Sequence, residues 1–418
     1  GVPVSEKEIK KLLKGGKLIV IDEYSMLCAR ELFFIDQILR QVGDPEQLYG
    51  GFAVLLVGDP AQIPPVKGQV LWTDNKKSPE ADKNGHLLYD SFFHNVIELE
   101  EVRRIISDDP DAEYFLELLD RLRDGECTEG DFIKVSNLCN RHFMKPQDWK
   151  ERFEDGEDIT HIFTTNREVL EMNHKQLMEL AQPIALIEAV HTGRSKKMKS
   201  DNFRRLESTL FLAVGALILL TSNICQPAGL CNGATGVIKA IIYRDGEGPP
   251  SLPWFVLVDF GDDYKGPTFF PDDDHDKRQG YVPVHAITAS EYTRKGDGYE
   301  EHTRTMLPIK LAWAWTTWKV QGQTLMGKVV IHMGKTEKEH GLTYTAFSRA
   351  TRLRNLGIDG GFYFDRFTSK IKNHKKMAPR ILEEKRLREL SKQTIERLRE
   401  RRVAIAHQPQ LDYLDLQL

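Results

Sequence analysis

Leu18-Ile-Val-Ile-Asp22-Glu23-Tyr-Ser25-Met26 and Val54-Leu-Leu-Val-Gly58-Asp59-Pro60-Ala-Gln62-Ile63-Pro64-Pro65-Val66 are two apolar runs that end in acid. A short β-branched run bounded by turn formers reads as a buried strand. In a parallel sheet, ligands bind beyond the carboxyl ends of the strands. There Asp22 can hold Mg²⁺ through its water shell, and Glu23 can orient or deprotonate an attacking water. Gly58 permits a tight exit from the second strand, and Asp59 can cap the turn that follows. Gln62 presents an amide to a phosphate oxygen or a water, and Pro64–Pro65 stiffen the segment behind it.

The pattern continues outward from these two runs. Lys17–Ile21, Ala53–Val57, Ile159–Thr164 and Val329–His332 read as strands, with helical patterns at Glu31–Gln41 and Glu113–Arg123. In the first helix Leu32, Ile35, Ile38 and Leu39 recur at helical spacing. Strands alternating with helices imply parallel sheets flanked by helices. Between about 213 and 287 the chain reads instead as strand after strand: Ala216–Thr221, Gly236–Tyr243, Phe255–Phe260 and Tyr281–Ile287. Turn formers at Asp245–Gly246 and Gly261–Asp262 separate them, so an inserted antiparallel module is expected. Its acidic stretch Asp272–Asp276 lacks the ligand order of a calcium loop. Lys67–Gly85 is polar and reads as a surface excursion. From about Ile371 the chain turns basic, and Arg380–Arg402 reads as a charged helix with Leu387, Leu390 and Leu398 on one stripe. That helix either packs weakly on the body or stands as a solvated arm.

Composition removes other classes. The 418 residues, 40% hydrophobic and 29% charged, fit roughly two to four globular domains. The longest apolar run, Leu210–Leu220, is too short for a membrane span of about 20 residues and reads as a buried strand. A net charge of −4 gives no global basic field, so any nucleic-acid contact must come from a local groove. The five cysteines form no CxxC pair, and the 13 histidines are dispersed. Reduced thiols inside the cell are expected, with no metal site made only of protein ligands.

The ordered set resembles the PIF-like DNA helicases, relatives of RecD and of conjugative relaxase-helicases in group B of helicase superfamily one. Asp22–Met26 and Gly58–Val66 look like helicase motifs II and III. Glu31–Arg40 and Tyr49-Gly50-Gly51 resemble the family's signature region. Leu99-Glu-Glu-Val-Arg103-Arg104 is similar to motif IV, with Ile105 where the family usually has Gln. Thr164-Thr165-Asn166-Arg167, with Asn173 beyond, looks like a strand end that contacts nucleic acid. Ala312–Leu325 resembles motif V, with Trp318 where the family usually has His. Tyr344–Thr351 looks like motif VI, and Gly215–Gly233 like the opening of an SH3-like module. The likeness runs from Gly1 to about Phe364.

The resemblance implies an α/β chain of two RecA-like parallel-sheet motor domains, the first incomplete, with an inserted SH3-like antiparallel β module. The expected bounds are 1–103, 104–212, 213–302, 303–370 and a basic helical tail, 371–418. It implies an ATP-dependent helicase that uses ATP and Mg²⁺ and moves 5′ to 3′ on single-stranded or forked DNA, in repair, recombination or telomere maintenance. Glu23, Gln62, Arg104 and Arg349 are the catalytic candidates. Asp22, Asp59, Gln321 and Gly322 are the nucleotide and Mg²⁺ candidates. Thr165, Asn166, Trp318, Lys319 and Thr324 are the DNA candidates. A monomer is expected, with no membrane anchoring and no secretion; in a eukaryote the compartment would be nucleus or mitochondrion.

One part is missing from the 418 residues: a phosphate-binding GxxxxGK[ST] loop. Gly334-Lys335-Thr336 is a decoy, because Val329 stands where the first Gly belongs. Two readings follow. In the first, Gly1 is a cut edge and the loop lies upstream of it. In the second, the chain is a helicase-shaped scaffold that binds without hydrolysing. The retained Asp22, Glu23, Gln62, Arg104 and Arg349 favour the first, as does the non-Met start. A P-loop NTPase other than a helicase fits poorly with the ordered Gln-Gly-Gln-Thr and Ser-Arg motifs.

Overall fold

β1 (Leu18–Ile21) and β2 (Ala53–Leu56) pair in parallel, in register from Leu18↔Ala53 to Ile21↔Leu56. Their side chains alternate across the sheet, as strand geometry requires. Leu18, Val20 and Leu55 are exposed, while Ile19, Val54 and Leu56 pack on a core of Leu32, Leu39, Tyr49, Leu71 and Tyr89. That core is supplied by α1 (Ala29–Val42) and α2 (Glu80–Phe92) and by the loops beside them. Burying each of Leu32 and Leu71 contributes roughly 1.5–3 kcal/mol. The structure, a computed structural model, describes residues 9–10, 13, 15–73, 75–155, 159–270, 280–296, 298–334, 336–361 and 363–406. Asp272–Asp276, Lys335 and the end of the basic tail lie outside the described residues.

The chain divides into two units, Ile159–Thr316 and Ser5–Asp158 with Thr317–Leu418. The second begins with the elements above and continues through α3 (Ala112–Asp124), α4 (Glu129–Cys139) and α5 (Pro146–Phe153). Gly125 ends α3 in the left-handed conformation, which a residue without Cβ adopts at little cost. Thr128 and Asp131 exchange hydrogen bonds of 2.8 and 3.1 Å as a capping box on α4.

The unit Ile159–Thr316 holds β3 (Ile159–Phe163), α6 (Asn166–Glu179), β4 (Ala185–Glu188), β5 (Val190–His191), β6 (Thr209–Leu212), β7 (Leu217–Leu220), β8 (Thr235–Ile242), β9 (Phe255–Asp259), β10 (Tyr281–Val284), β11 (Ile287–Lys295), β12 (Gly298–Met306), β13 (Ile309–Leu311) and β14 (Ala314–Thr316). β14 pairs with β3 in parallel. The other strands form antiparallel sheets: a pair β4–β6, five strands in the order β10-β9-β8-β7-β13, and three in the order β11-β12-β5. Antiparallel strands are present as expected, and they run from Ala185 to Leu311. The expected strand Tyr281–Ile287 is two strands in two sheets, β10 and β11. The run Leu210–Leu220 is likewise β6 and β7, broken where Gly215 takes φ +87°.

The chain then returns to the first-described unit with β15 (Lys328–His332), α7 (Leu342–Phe347), β16 (Leu356–Asp359), α8 (Ser369–Lys372) and α9 (Met377–Ala406). β15 and β16 pair in parallel. No helix among the described residues is long and apolar enough to cross a membrane.

Two expectations are sharpened within this unit. Lys67–Gly85 is a surface excursion in part, with Lys67, Gly68, Asn75–Lys77, Pro79 and Glu80 exposed, but it is anchored to the core. Val70 bridges to Cys28, Leu71 is fully buried, and Gly85 brings α2 so near α1 that a Cβ there would stand 1.7 Å from the Ala29 carbonyl oxygen. A polar average hid the one leucine and the one glycine that carry the contact. α9 packs on the body, the first of the two expected outcomes, and Leu387 and Leu390 of its stripe are half-buried beside a polar seam. Leu398 is exposed, while Met377, Arg380, Glu383, Glu384, Ser391 and Thr394 are buried. The seam is made of paired charges. Arg380 binds Glu384 and Asp124, Arg123 binds Glu384 at 2.6 Å, and Tyr89 donates to Glu383 at 2.6 Å. Leucine periodicity does not reveal that the same helix buries ion pairs.

Candidate functional site

At the end of β1 the backbone turns sharply. Glu23 takes φ 52°, ψ 46°, a left-handed conformation that costs a residue with a Cβ about 1–2 kcal/mol. A short helical turn, Tyr24–Met26, follows, and the Tyr24 amide donates to the Val57 carbonyl at 3.0 Å. The two strand ends are thus tied together. Asp22 is exposed and accepts the Glu23 N–H at 2.9 Å through one oxygen.

The Gln321 side chain reaches this turn from far along the sequence. Its amide Nε2 donates to Glu23 Oε2 at 2.9 Å and to the Ser25 hydroxyl at 3.0 Å. Its Oε1 is buried without a hydrogen-bond partner among the described residues, as is Gln62 Oε1. Gly322 takes φ +77°, and a Cβ there would stand 3.2 Å from Glu23 Oε1. A side chain at 322 would crowd the carboxylate and strain the backbone.

Two arginines complete the cluster. Arg104 donates from Nε to the Thr324 hydroxyl at 3.0 Å and from Nη1 to the Ser348 carbonyl at 3.1 Å. Arg349 is fully buried. It donates from Nε to the Thr345 carbonyl at 2.9 Å, from Nη1 to the Gln323 carbonyl at 3.1 Å and from Nη2 to the Ser348 hydroxyl at 2.9 Å. Burial, with the neighbouring charge of Arg104, pushes the Arg349 guanidinium down to about 10, and Glu23 acts in the opposite direction. Burial likewise lowers Arg104. Glu23, Gln321, Gly322, Thr324, Arg104 and Arg349 are therefore one site.

The remaining candidates are placed differently. Asp59 caps its own turn by accepting the Ala61 N–H at 2.9 Å, as its residue type suggested. Both its oxygens are also taken by protein groups, Arg123 at 2.8 Å and the Tyr344 hydroxyl at 3.1 Å. Trp318 is half-buried with its indole N–H enclosed, and Lys319 is half-buried. In the other unit, Thr165 caps α6. Its hydroxyl oxygen accepts the Glu168 N–H at 3.3 Å, and its hydroxyl donates to the Glu168 carboxylate at 2.5 Å. Asn166 is exposed in the first turn of α6.

Sequence reasoning assigned no role to Ser25, Arg123 or Glu384. Arg123 stands two residues before the glycine that ends α3, where a cation reads as a complement to the helix dipole. Nothing local marks it as the partner of Asp59.

Known proteins resemble this chain in sequence and in fold. The family model described as PIF1-like helicase matches residues 4–132. The ATP-dependent DNA helicase PIF1 of Danio rerio is 28% identical over 346 residues, covering 82% of this chain and 46% of the relative. Its Homo sapiens counterpart is 26% identical over 340 residues, covering 81% and 45%. The chain thus spans about half the length of these relatives. Crystal structures of Bacteroides Pif1 bound to ssDNA and of Candida albicans Pif1 superpose with TM-scores of 0.62, at 24% and 22% identity. They cover 88% and 90% of this chain and 75% and 80% of those chains. They show the α/β fold of the Pif1 helicases, with RecA-like motor architecture, as the motifs led us to expect. Residues 4–132 thus match the PIF1-like helicase model, and most of the chain is similar in sequence to PIF1 helicases and shares the Pif1 fold.

Proposed function

We propose that this chain is the motif II-to-VI portion of an ATP-dependent DNA helicase that moves 5′ to 3′ along a single strand. The observation that carries the proposal is the Gln321–Glu23 hydrogen bond, which joins the motif that senses the strand to the carboxylate that activates water. The names of the Danio rerio and Homo sapiens relatives support the activity and the substrate.

The residues present fit ATP and Mg²⁺. One Asp22 oxygen has no protein partner among the described residues, and the Gln62 and Gln321 carbonyl oxygens are unpartnered. When bound, ATP·Mg²⁺ supplies the phosphoanhydride and the charge that draws the phosphate oxygens. Asp22 would hold the ion through water. Glu23, steadied by Gln321, would take the proton of the attacking water. Arg104 and Arg349 would neutralise charge spreading over the phosphate oxygens. Arg349 donates to carbonyls and a hydroxyl, so it must exchange those bonds to reach a phosphate. Thr165, Asn166, Trp318, Lys319 and Thr324 would hold the strand by phosphate contact and stacking.

The phosphate-binding loop would be supplied by sequence upstream of Gly1. An in-frame GxxxxGK[ST] there is the expected finding. A start codon immediately before Gly1 would instead favour a non-hydrolysing scaffold. In a protein carrying the loop, Glu23→Gln should lower ATP turnover by roughly 10²–10⁴-fold and leave nucleotide binding intact. Normal unwinding by that variant would defeat the assignment of the base. The 418-residue chain alone should show little DNA-stimulated turnover, and robust turnover would contradict the need for the upstream loop.

A further inference from the structure

Beside the loop that follows β2, the unit of Ser5–Asp158 and Thr317–Leu418 holds a cavity of about 510 Å³. That volume is typical of small-molecule sites, roughly 300–1,000 Å³. None of the site residues above lines it. Three features of its wall point to one kind of ligand.

The first is a flat apolar surface. Trp72, Val70, Pro79 and Pro379 line it. Trp72 is half-buried, and a T-shaped contact with Tyr24, 6.2 Å between centroids, fixes its ring.

The second is positive potential on a chain of net charge −4. Arg30, Lys375, Lys376 and Arg380 line the cavity against a single carboxylate, Asp82. Arg30 is paired with Asp82 at 2.6 Å, Lys376 with Glu339 at 2.9 Å, and Arg380 with Asp124 and Glu384. Lys375 is exposed and has no ion-pair partner among the described residues. The amino-terminal end of α9 lies at the same wall, where aligned backbone dipoles favour an anion.

The third is unspent hydrogen-bonding capacity. His340 lines the cavity, is only 2% exposed, and neither ring nitrogen has a partner among the described residues. Asp82 Oδ1 is likewise buried and unpartnered. Burial keeps the His340 ring neutral, its pKa pushed down to about 3, with Arg380, His374, Lys376 and Arg123 acting the same way. A neutral imidazole offers one donor and one acceptor. Buried polar groups are seldom left without partners, so these atoms mark where a ligand's polar edge belongs.

A flat heteroaromatic ring with a donor–acceptor edge, joined to an anion, satisfies all three. We infer that this cavity binds one nucleoside phosphate, its base against Trp72 and the prolines and its phosphate at Lys375, Lys376 and the start of α9. The ligand is either a free nucleotide or one residue of a bound strand. The strand form rests on the DNA reading above; the free form does not.

The test uses the 418-residue chain, thymidine 5′-monophosphate and a short oligothymidylate, read by tryptophan fluorescence and by anisotropy of labelled oligomer. Either ligand should quench fluorescence in the wild type. Quenching by the monophosphate should vanish in Trp72→Phe, which keeps an aromatic ring in the core, and quenching by the oligomer should fall to the share of Trp318, itself a strand candidate. Lys375→Glu should weaken binding roughly tenfold, since a phosphate contact is replaced by repulsion. Quenching by the monophosphate identifies a free nucleotide as the ligand, and oligomer quenching that falls in Trp72→Phe, without quenching by the monophosphate, identifies a strand. Quenching undiminished in Trp72→Phe, or unchanged affinity in Lys375→Glu, overturns the inference. If Lys319→Ala weakens oligomer binding while Lys375→Glu does not, the cavity inference fails and the DNA reading stands. Binding of the monophosphate without any binding of the oligomer leaves the cavity standing and defeats the DNA reading. A wild type that binds neither defeats both.

Discussion

Replacing Arg380 by Met tests whether a seam of buried charges holds α9 to its unit. Arg380 is 1% exposed and binds Glu384 at 2.7 Å, with Asp124 as its second partner. Stranding the partner of a buried pair costs about 3–5 kcal/mol. Two features reduce that here. The Asp124 side chain is 41% exposed and can rehydrate. Glu384, 10% exposed, keeps Arg123 at 2.6 Å. Met retains most of the apolar stem, so little packing is lost. The expected loss is about 2–3 kcal/mol. Arg103→Ala is the comparison, because the Arg103–Glu101 pair has the same kind of contact, 2.7 Å, at 82% and 70% exposure. Exposed pairs contribute at most about 1 kcal/mol, and this one is expected to matter little. The assay is urea unfolding followed by circular dichroism and tryptophan fluorescence, at low salt and in 1 M NaCl. Salt screens exposed charges far more than buried ones, so the Arg380→Met loss should persist in salt. A loss no larger than that of Arg103→Ala, or one that disappears in salt, would show that α9 is a solvated arm after all.

Gly85→Ala should destabilise by about 3 kcal/mol or more, at the upper end of overpacking costs, because its Cβ would lie 1.7 Å from the Ala29 carbonyl oxygen. Gly246→Ala, at φ +78° with nothing within 4 Å, is the control and should cost only about 1 kcal/mol in the same denaturation assay. His340 makes stability fall with acid. Its folded pKa, about 3, lies below its ordinary value of 6.5. Between those values the unfolded chain binds a proton that the folded chain refuses. The stability is full above pH 6.5 and is lost as pH drops toward 3, at up to about 1.4 kcal/mol per pH unit. His340→Leu should flatten that part of the stability–pH curve measured from pH 7 to 5; an unchanged slope would refute the assignment.

The strand ends were legible because short-range chemistry specifies them. β-branched runs, a carboxylate at the exit and a glycine for the turn all act within a few residues. So do the antiparallel strands, whose turn formers are local. The anchor within Lys67–Gly85 was not legible, because one buried leucine in a polar run has no period. Which of its two outcomes α9 takes was not legible either, because the face it buries carries charge, and only Asp124, Arg123 and Tyr89 opposite make that burial tolerable.

The same division holds at the site. Residue order alone singled out Glu23, Gln62, Arg104, Gln321 and Arg349 as candidates, since motif chemistry is written in adjacent residues. The structure alone decided what each side chain does. It gave Gln321 to Glu23 and Ser25, turned Asp59 toward Arg123 and Tyr344, buried Arg349 against backbone carbonyls, and left His340 without a partner in a cationic cavity. Hydrogen bonds and ion pairs act over about 3 Å, and residues nearly 300 positions apart in sequence reach that distance only once the chain has folded.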